Sequence, residues 1–211
     1  MPFMLLFGDR MAGLATVCAS ILCLVPAQRV SADPPELALA LEGGVAWSHS
    51  SHTYQFFDPE DGPNDAGSVS VLGPAGALHF ELSWKAASIL RVGGFARLAF
   101  AGAPENPFSE SLGVQGTIGL GVTLRLEPEE RTDGPYGGLW VGFGGVVPHG
   151  AGFVGGVDAG YRWLLGERWS IGLGGSVSTQ WSFFGESGDH GRYEYTQGAV
   201  WPAVHLRVAH L

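Results

Sequence analysis

The chain has 211 residues, of which 34 are glycine and only 15% are charged. This length suits a single domain, and the formal net charge of −9 argues against nucleic acid as a partner. No apolar run reaches the roughly 18 residues that a membrane-spanning helix needs, so a helical membrane protein is disfavoured.

The N-terminus has the organisation of a cleaved signal peptide. Arg10 precedes an apolar, small-residue stretch over 12–25, Pro26 interrupts it, and residues 30–32 offer small side chains to a signal peptidase. We therefore predict a signal peptide over 1–32 and export of the remainder, 33–211. The alternative is an N-terminal membrane anchor, for which the apolar run is short. Both cysteines precede the predicted cleavage site, so the exported chain can form no disulfide.

The rest of the chain is dominated by alternating apolar and polar residues. Between Leu112 and Leu126, large apolar residues occupy every second position except Gly116, while Gly, Gln, Thr and Arg lie between them. This period of two is typical of a β-strand, because successive side chains point to opposite faces. Similar bands predict eight strands, over 37–47, 77–85, 90–100, 112–126, 136–147, 153–163, 169–181 and 200–208. The band over 136–147 is apolar on both faces, so its facing stays open.

Eight such strands predict an all-β fold, an eight-stranded antiparallel up-and-down transmembrane β-barrel over 33–211. About ten residues per strand, tilted near 40°, cover roughly 25 Å of hydrocarbon. The connections alternate between long and short, which places the long loops outside the cell and the N-terminus in the periplasm. The predicted outer loops are 48–73, 102–111 and 182–195.

Five tryptophans lie at the ends of the predicted strands. Because an indole ring prefers the interface between hydrocarbon and water, we interpret them as two aromatic girdles. They are Trp47, Trp84, Trp163, Trp169 and Trp181.

In this alternation and in these girdles the chain resembles the small eight-stranded outer-membrane barrels, the family of OmpX and of the OmpA transmembrane domain. The resemblance implies an outer-membrane location, contact with membrane lipids and lipopolysaccharide, and a monomer. One departure concerns the C-terminus: that family usually ends in an aromatic residue, whereas this chain ends in Leu211.

The charged residues of the strands fall on the face opposite the apolar one. Because an eight-stranded barrel is only wide enough for side chains to fill its interior, we predict a packed network of ion pairs there. The alternative interpretation is a narrow ion-conducting path. The predicted network comprises Glu42, His79, Glu81, Lys85, Arg91, Arg97, Arg125, Asp158, Arg162, His205 and Arg207.

The first outer loop is acidic and contains aromatic residues, so it is the predicted surface-contact region. The alternative is a metal site formed by His49, His52 and nearby carboxylates, but no calcium-loop spacing is present. We therefore predict no metal and no cofactor. The candidate contact residues are Tyr54, Phe56, Phe57, Asp58, Glu60, Asp61 and Asp65.

Two other function classes remain as alternatives. Lipid A-modifying barrels need a Ser/His pair that faces outward near the outer leaflet; here His49 and Ser51 fall in a predicted loop, so no catalytic residue is assigned. A secreted lipocalin-like binding barrel would need the inverse pattern, with apolar residues inside. We therefore predict a non-enzymatic outer-membrane barrel with a structural or surface-interaction role and an unidentified surface ligand.

Overall fold

A computed structural model describes residues 35–57, 64–105, 111–128, 132–147, 150–188 and 191–211. Within them, eight antiparallel strands pair in chain order and close into a barrel, which confirms the predicted fold class. The strands are β1 (Glu36–Phe56), β2 (Asp65–Lys85), β3 (Leu90–Pro104), β4 (Leu112–Leu126), β5 (Gly134–Val147), β6 (Ala151–Leu165), β7 (Trp169–Ser187) and β8 (Gly191–His210). The predicted signal peptide, 1–32, lies outside the described residues. In the described part of the chain there is no helix that is long and apolar enough to cross a membrane.

The barrel closes where β1 pairs with β8. Leu41 of β1 lies opposite Leu78 of β2 on one side and Leu206 of β8 on the other. Following paired residues once around the barrel from Leu41 leads to Ser51, further along the same strand. Such a stagger accompanies a strand tilt of roughly 40°, and eight strands at this tilt enclose a lumen of side-chain width.

The two faces of the sheet differ as the alternation predicts. On β4, Leu120 is 65% exposed on the outer face, whereas Thr117 and Arg125 are buried inside. The facing of the fifth strand, which the sequence left open, follows from Trp140, which is buried, and Leu139, which is exposed on the outer face. The outer wall is therefore apolar, and the charged side chains of the strands lie in the lumen together with buried apolar clusters.

Four strands continue well past the others at one end of the barrel. β1, β2, β7 and β8 have 21, 21, 19 and 20 residues, whereas β3 to β6 have 14 or 15. β2 pairs with β3 only from Ala75 onward, and β7 pairs with β6 only as far as Phe183. The segments beyond the rim form a four-stranded sheet in the order β2, β1, β8, β7, and residues 48–56, 65–72, 182–187 and 191–198 are called the projecting sheet below.

The projecting sheet corrects the predicted outer loops. Most of the segments predicted as loops over 48–73 and 182–195 is strand, and within 102–111 β3 runs on to Pro104. The alternation does continue in β1, but its outer face changes to His49, Ser51 and Thr53. Because strands were predicted from an apolar outer face, the polar continuation was interpreted as loop.

Candidate functional site

The first candidate site is the charged cluster at the rim where the tight turns lie. Arg207 of β8 contacts both Glu36 (2.5 Å, Nη2 to Oε1) and Glu127 (3.0 Å, Nη1 to Oε1). Arg162 of β6 donates to the other oxygen of Glu127 at 3.0 Å, and Arg91 of β3 lies 3.5 Å from the second oxygen of Glu36. The cluster therefore joins four strands to the segment that follows β4.

Glu127 lies just beyond the end of β4, in the segment predicted as a charged turn, and is 4% exposed. Burial alone would raise the pKa of Glu127. The guanidinium groups of Arg207, Arg125, Arg162 and Arg91 outweigh burial and lower that pKa below its ordinary value. Glu127 is thus held as a carboxylate. Neither Glu127 nor Glu36 was in the predicted network, because one was assigned to a turn and the other precedes the first predicted strand.

A second charged cluster crosses the lumen further along the strands. Arg125 of β4 binds Glu81 of β2 at 2.5 Å and both oxygens of Asp158 of β6 at 3.0 and 3.1 Å. Arg97 of β3 makes a two-pronged contact with Glu42 of β1, at 2.8 and 2.7 Å. Each arginine thus ties together strands that are not neighbours in the sheet.

Aromatic rings surround the second cluster. The Arg97 guanidinium lies 4.2 Å from the centre of the Trp140 ring and donates a hydrogen bond to Ser178 Oγ at 3.0 Å. Trp201 of β8 is 1% exposed and packs against alanines of β1, β2 and β3. Tyr136 is hydrogen-bonded to His205. These aromatic residues were absent from the predicted site, although their inward parity in strands that carry small inner residues was a usable signal.

The predicted network residues all lie on the inner face. Nine of the eleven take part in the contacts described above. The other two are His79, which stacks on Phe95 with ring centres 4.9 Å apart, and Lys85, which is half-buried at the rim. Across the two clusters, five arginines meet five carboxylates, namely Arg91, Arg97, Arg125, Arg162 and Arg207 with Glu36, Glu42, Glu81, Glu127 and Asp158. Each buried arginine needs a carboxylate partner, and each buried carboxylate a cation, because a buried charge without a partner strongly destabilises the folded protein.

The five predicted girdle tryptophans all face outward at two levels. Trp84, Trp163 and Trp169 lie near the rim that carries the tight turns, and Trp47 and Trp181 lie where the projecting sheet begins. Four of them are 41–50% exposed. Between these levels the outward positions of the strands carry no charged residue in the described part of the chain.

The predicted contact residues lie partly on strands and partly outside the described residues. Tyr54 and Phe56 lie on β1 rather than in a loop, Asp65 begins β2, and Phe57 follows β1 with 62% exposure. Tyr54 and Phe56 point to the inner, concave side of the projecting sheet, where their rings pack edge to face at 4.4 Å. The predicted Asp58, Glu60 and Asp61 lie outside the described residues.

A histidine and a serine meet on the outer face, one step beyond the Trp47 level. His49 Nδ1 lies 2.9 Å from Ser70 Oγ of β2, and the imidazole stacks beside Trp47 with ring centres 6.0 Å apart. Ser51 shares this outward face. The placement of His49 and Ser51 in a loop was therefore wrong. No group of three or more His, Cys, Asp or Glu side chains placed to hold a metal ion occurs within the described ranges.

No protein-family model matches the chain, and no curated protein matches it in sequence. Solved structures of outer-membrane proteins are similar at low identity. They include OprG from Pseudomonas aeruginosa (11% identity, TM-score 0.40, covering 82% of this chain and 97% of that one) and Neisserial surface protein A (10%, 0.38, 81% and 97%). The attachment invasion locus protein Ail of Yersinia pestis, solved with the heparin analogue sucrose octasulfate, has 15% identity and a TM-score of 0.31. The match covers 81% of this chain and 99% of that one. The likeness is weak, so the barrel assignment rests on the strand pairing of this chain itself.

Proposed function

We propose that this chain is an integral outer-membrane β-barrel with a closed lumen, and that it presents the projecting sheet to the outside for surface contacts. One observation carries the proposal: the outward positions between the two tryptophan levels are uncharged, while five arginines and five carboxylates are enclosed. A wall of this kind suits hydrocarbon outside and is poorly suited to water.

The thickness of the apolar wall supports a membrane. On β4 the outward residues run from Val114 through Leu120 to Leu126, twelve residues further along the strand. At about 3.3 Å per residue and a tilt near 40°, this span is roughly 30 Å, close to the hydrocarbon thickness of a bilayer. A lipocalin-like soluble barrel would require the opposite distribution of charge.

The enclosed side chains support a closed lumen rather than an ion path. Arg97, Arg125, Trp140 and Trp201 are each at most 2% exposed and reach across the barrel. An ion would have to separate their contacts to pass. We expect purified protein in planar bilayers to show no steady conductance, and stepwise channel currents would overturn this part of the proposal.

Surface presentation is tested by labelling single cysteines. The exported chain has no cysteine of its own, so Thr53→Cys on the projecting sheet provides one unique site. We expect a membrane-impermeant maleimide to label this variant on intact cells. Leu173→Cys in the apolar wall is the matched control and should stay unlabelled. Absence of labelling at residue 53, with labelling restored after the outer membrane is permeabilised, would contradict the proposed orientation.

The contact role is tested by shortening the projecting hairpin. Deleting 51–66 removes the tip formed by β1 and β2 while leaving the apolar wall intact. We expect the deletion to reduce attachment of cells to host or abiotic surfaces, whereas unchanged attachment would remove this hairpin from the contact surface.

A second candidate function is hydrolysis of acyl esters in outer-leaflet lipids, favoured by the His49 and Ser70 pair alone. A serine hydroxyl beside an imidazole is the core of a nucleophile activated by a base, and this pair faces outward at the membrane interface. In the described residues no carboxylate forms an ion pair with His49 to orient its ring. The pair therefore lacks the carboxylate that orients the histidine in a Ser-His-Asp triad.

The hydrolase function is tested by mass spectrometry of lipid A from cells that express the protein. Loss of an acyl chain with the natural protein, and its retention with Ser70→Ala, would establish the activity. We expect identical lipid A from cells with the natural protein, with Ser70→Ala and without the protein.

A further inference from the structure

The two faces of the projecting sheet differ most near its tip, beyond the exposed Leu72 and Phe183 at the base of its outer face. Its outer, convex face carries polar residues such as Ser51, Ser68 and Thr196, which suit water. Its inner, concave face carries Tyr54, Phe56, Val69, Val71, Phe184, Tyr193 and Tyr195, together with polar residues nearer the barrel, among them Ser48, Ser50, Ser182 and Gln197. An aromatic face that stands above the membrane is not explained by contact with lipid.

Four side chains of the concave face form a single row across all four strands. Asp65 pairs with Tyr54, Tyr54 pairs with Tyr193, and Tyr193 pairs with Glu186. Two tyrosines thus lie side by side, with ring centres 6.3 Å apart, and a carboxylate stands at each end of the row.

The row is accessible to a ligand. The Asp65 side chain is 62% exposed, and one of its carboxylate oxygens lies 3.6 Å from His52 Nε2. Glu186 is exposed, and Tyr54 and Tyr193 are half-buried. The nearest cation on β8, Arg192, lies on the convex face, where it pairs with Glu194. The carboxylates of the row are therefore open to a cation from outside.

The charges of the row decide which occupant fits. Phosphates of lipopolysaccharide would be repelled by the two carboxylates, and a purely apolar ligand would leave them desolvated. A cation gains from both kinds of group, because it can lie within ~6 Å of a tyrosine ring and can pair with a carboxylate. Aromatic faces flanked by acids favour organic cations over metal ions.

The spacing of the row indicates a peptide rather than a small cation. Asp65 and Glu186 are separated by three strand spacings, roughly 14 Å. An extended peptide covers about 13 Å in four residues, and its residues i, i+2 and i+4 share one face. Cations at these three positions would meet Asp65, the two tyrosines and Glu186 in turn.

We propose that the concave face of the projecting sheet binds an extended basic segment of a partner protein, with lysine or arginine at alternate positions, laid across the row Asp65, Tyr54, Tyr193 and Glu186. This proposal rests on the proposed surface role and names the class of partner. The carboxylates hold the outer two cations, and the tyrosine faces hold the middle one.

The test uses the full barrel in detergent micelles and the fluorescent peptide GKSRSKG, whose basic residues alternate. We expect saturable binding that weakens as salt is added. The double variant Asp65→Asn with Glu186→Gln should weaken binding by about tenfold, since two charge-assisted contacts are lost. Tyr54→Leu with Tyr193→Leu should weaken it by about fivefold through loss of cation–π contact.

Glu194→Gln is the matched control, because it removes a carboxylate from the same strand but from the convex face. Binding should be unchanged in this variant and weaker for GKKRSSG, which has the same composition with adjacent basic residues. Circular dichroism of each variant confirms that the barrel is folded. Full displacement of the peptide by tetramethylammonium at a similar concentration would overturn the proposal in favour of a small-cation site.

Equal loss of binding in Glu194→Gln and in the double acidic variant would also overturn the proposal, since only bulk charge would then matter. Preferential binding of a sulfated polysaccharide would do so as well. Failure of binding together with labelling of Thr53→Cys on cells would remove this inference alone, whereas failure of that labelling would remove the surface role.

Discussion

Replacing Arg125 with methionine should destabilise the barrel by about 3–5 kcal/mol. Arg125 is 1% exposed and is the shared partner of Glu81 and Asp158, so its removal leaves two carboxylates near each other in the lumen without a cation. The cost of these uncompensated charges, rather than the lost contacts, sets the size of the effect. Urea unfolding in phospholipid vesicles, followed by tryptophan fluorescence, measures the change in free energy of unfolding.

The triple variant Arg125→Met with Glu81→Gln and Asp158→Asn is the control for this prediction. It removes the whole charged group, and because neutral side chains of similar shape remain, much of the stability should return. A stability loss below about 1 kcal/mol for Arg125→Met alone would mean that water, rather than Arg125, compensates these carboxylates. The enclosed network would then be solvated, contrary to the closed lumen.

Replacing Leu120 with arginine should cost about 2–4 kcal/mol of folding free energy in a bilayer. Leu120 is 65% exposed and lies midway along the outward residues of β4, where the bilayer centre is expected. A guanidinium there must be transferred into hydrocarbon, and no carboxylate on the outer wall is available within the described residues. The same vesicle unfolding measurement gives the cost.

Ser68→Arg provides the comparison, because Ser68 is exposed on the convex face of the projecting sheet. Its substitution should change the free energy of unfolding by less than about 0.5 kcal/mol, as is usual for a solvated surface. If Leu120→Arg were as mild as Ser68→Arg, the apolar wall would not be in contact with lipid.

The barrel itself was predictable because membrane contact imposes a simple rule on sequence. Every second residue must be apolar where a strand faces hydrocarbon, and a one-residue shift would place Arg97 or Arg125 in lipid. The parity of the charged residues therefore determined which side chains face the lumen. The particular pairs, such as Arg97 with Glu42, depend on strand stagger, which alternation does not encode.

The projecting sheet was missed for a related reason. Beyond the Trp47 level the outer face meets water, so the apolar band that signals a strand ends there even though β1 continues to Phe56. The opposite parity, with Tyr54 and Phe56, carries the alternation instead. His49 and Ser70 were separated by a predicted loop, and only the register of β1 with β2 brings them together.

Spin labels at single cysteines test the central claim most directly, which is that the apolar wall meets lipid while the projecting sheet meets water. In bilayers, labels at residues 120 and 173 should collide more often with oxygen, which concentrates in hydrocarbon, than with a water-soluble nickel complex. A label at residue 68 should show the reverse. Nickel access at residues 120 and 173 equal to that at residue 68 would contradict the account.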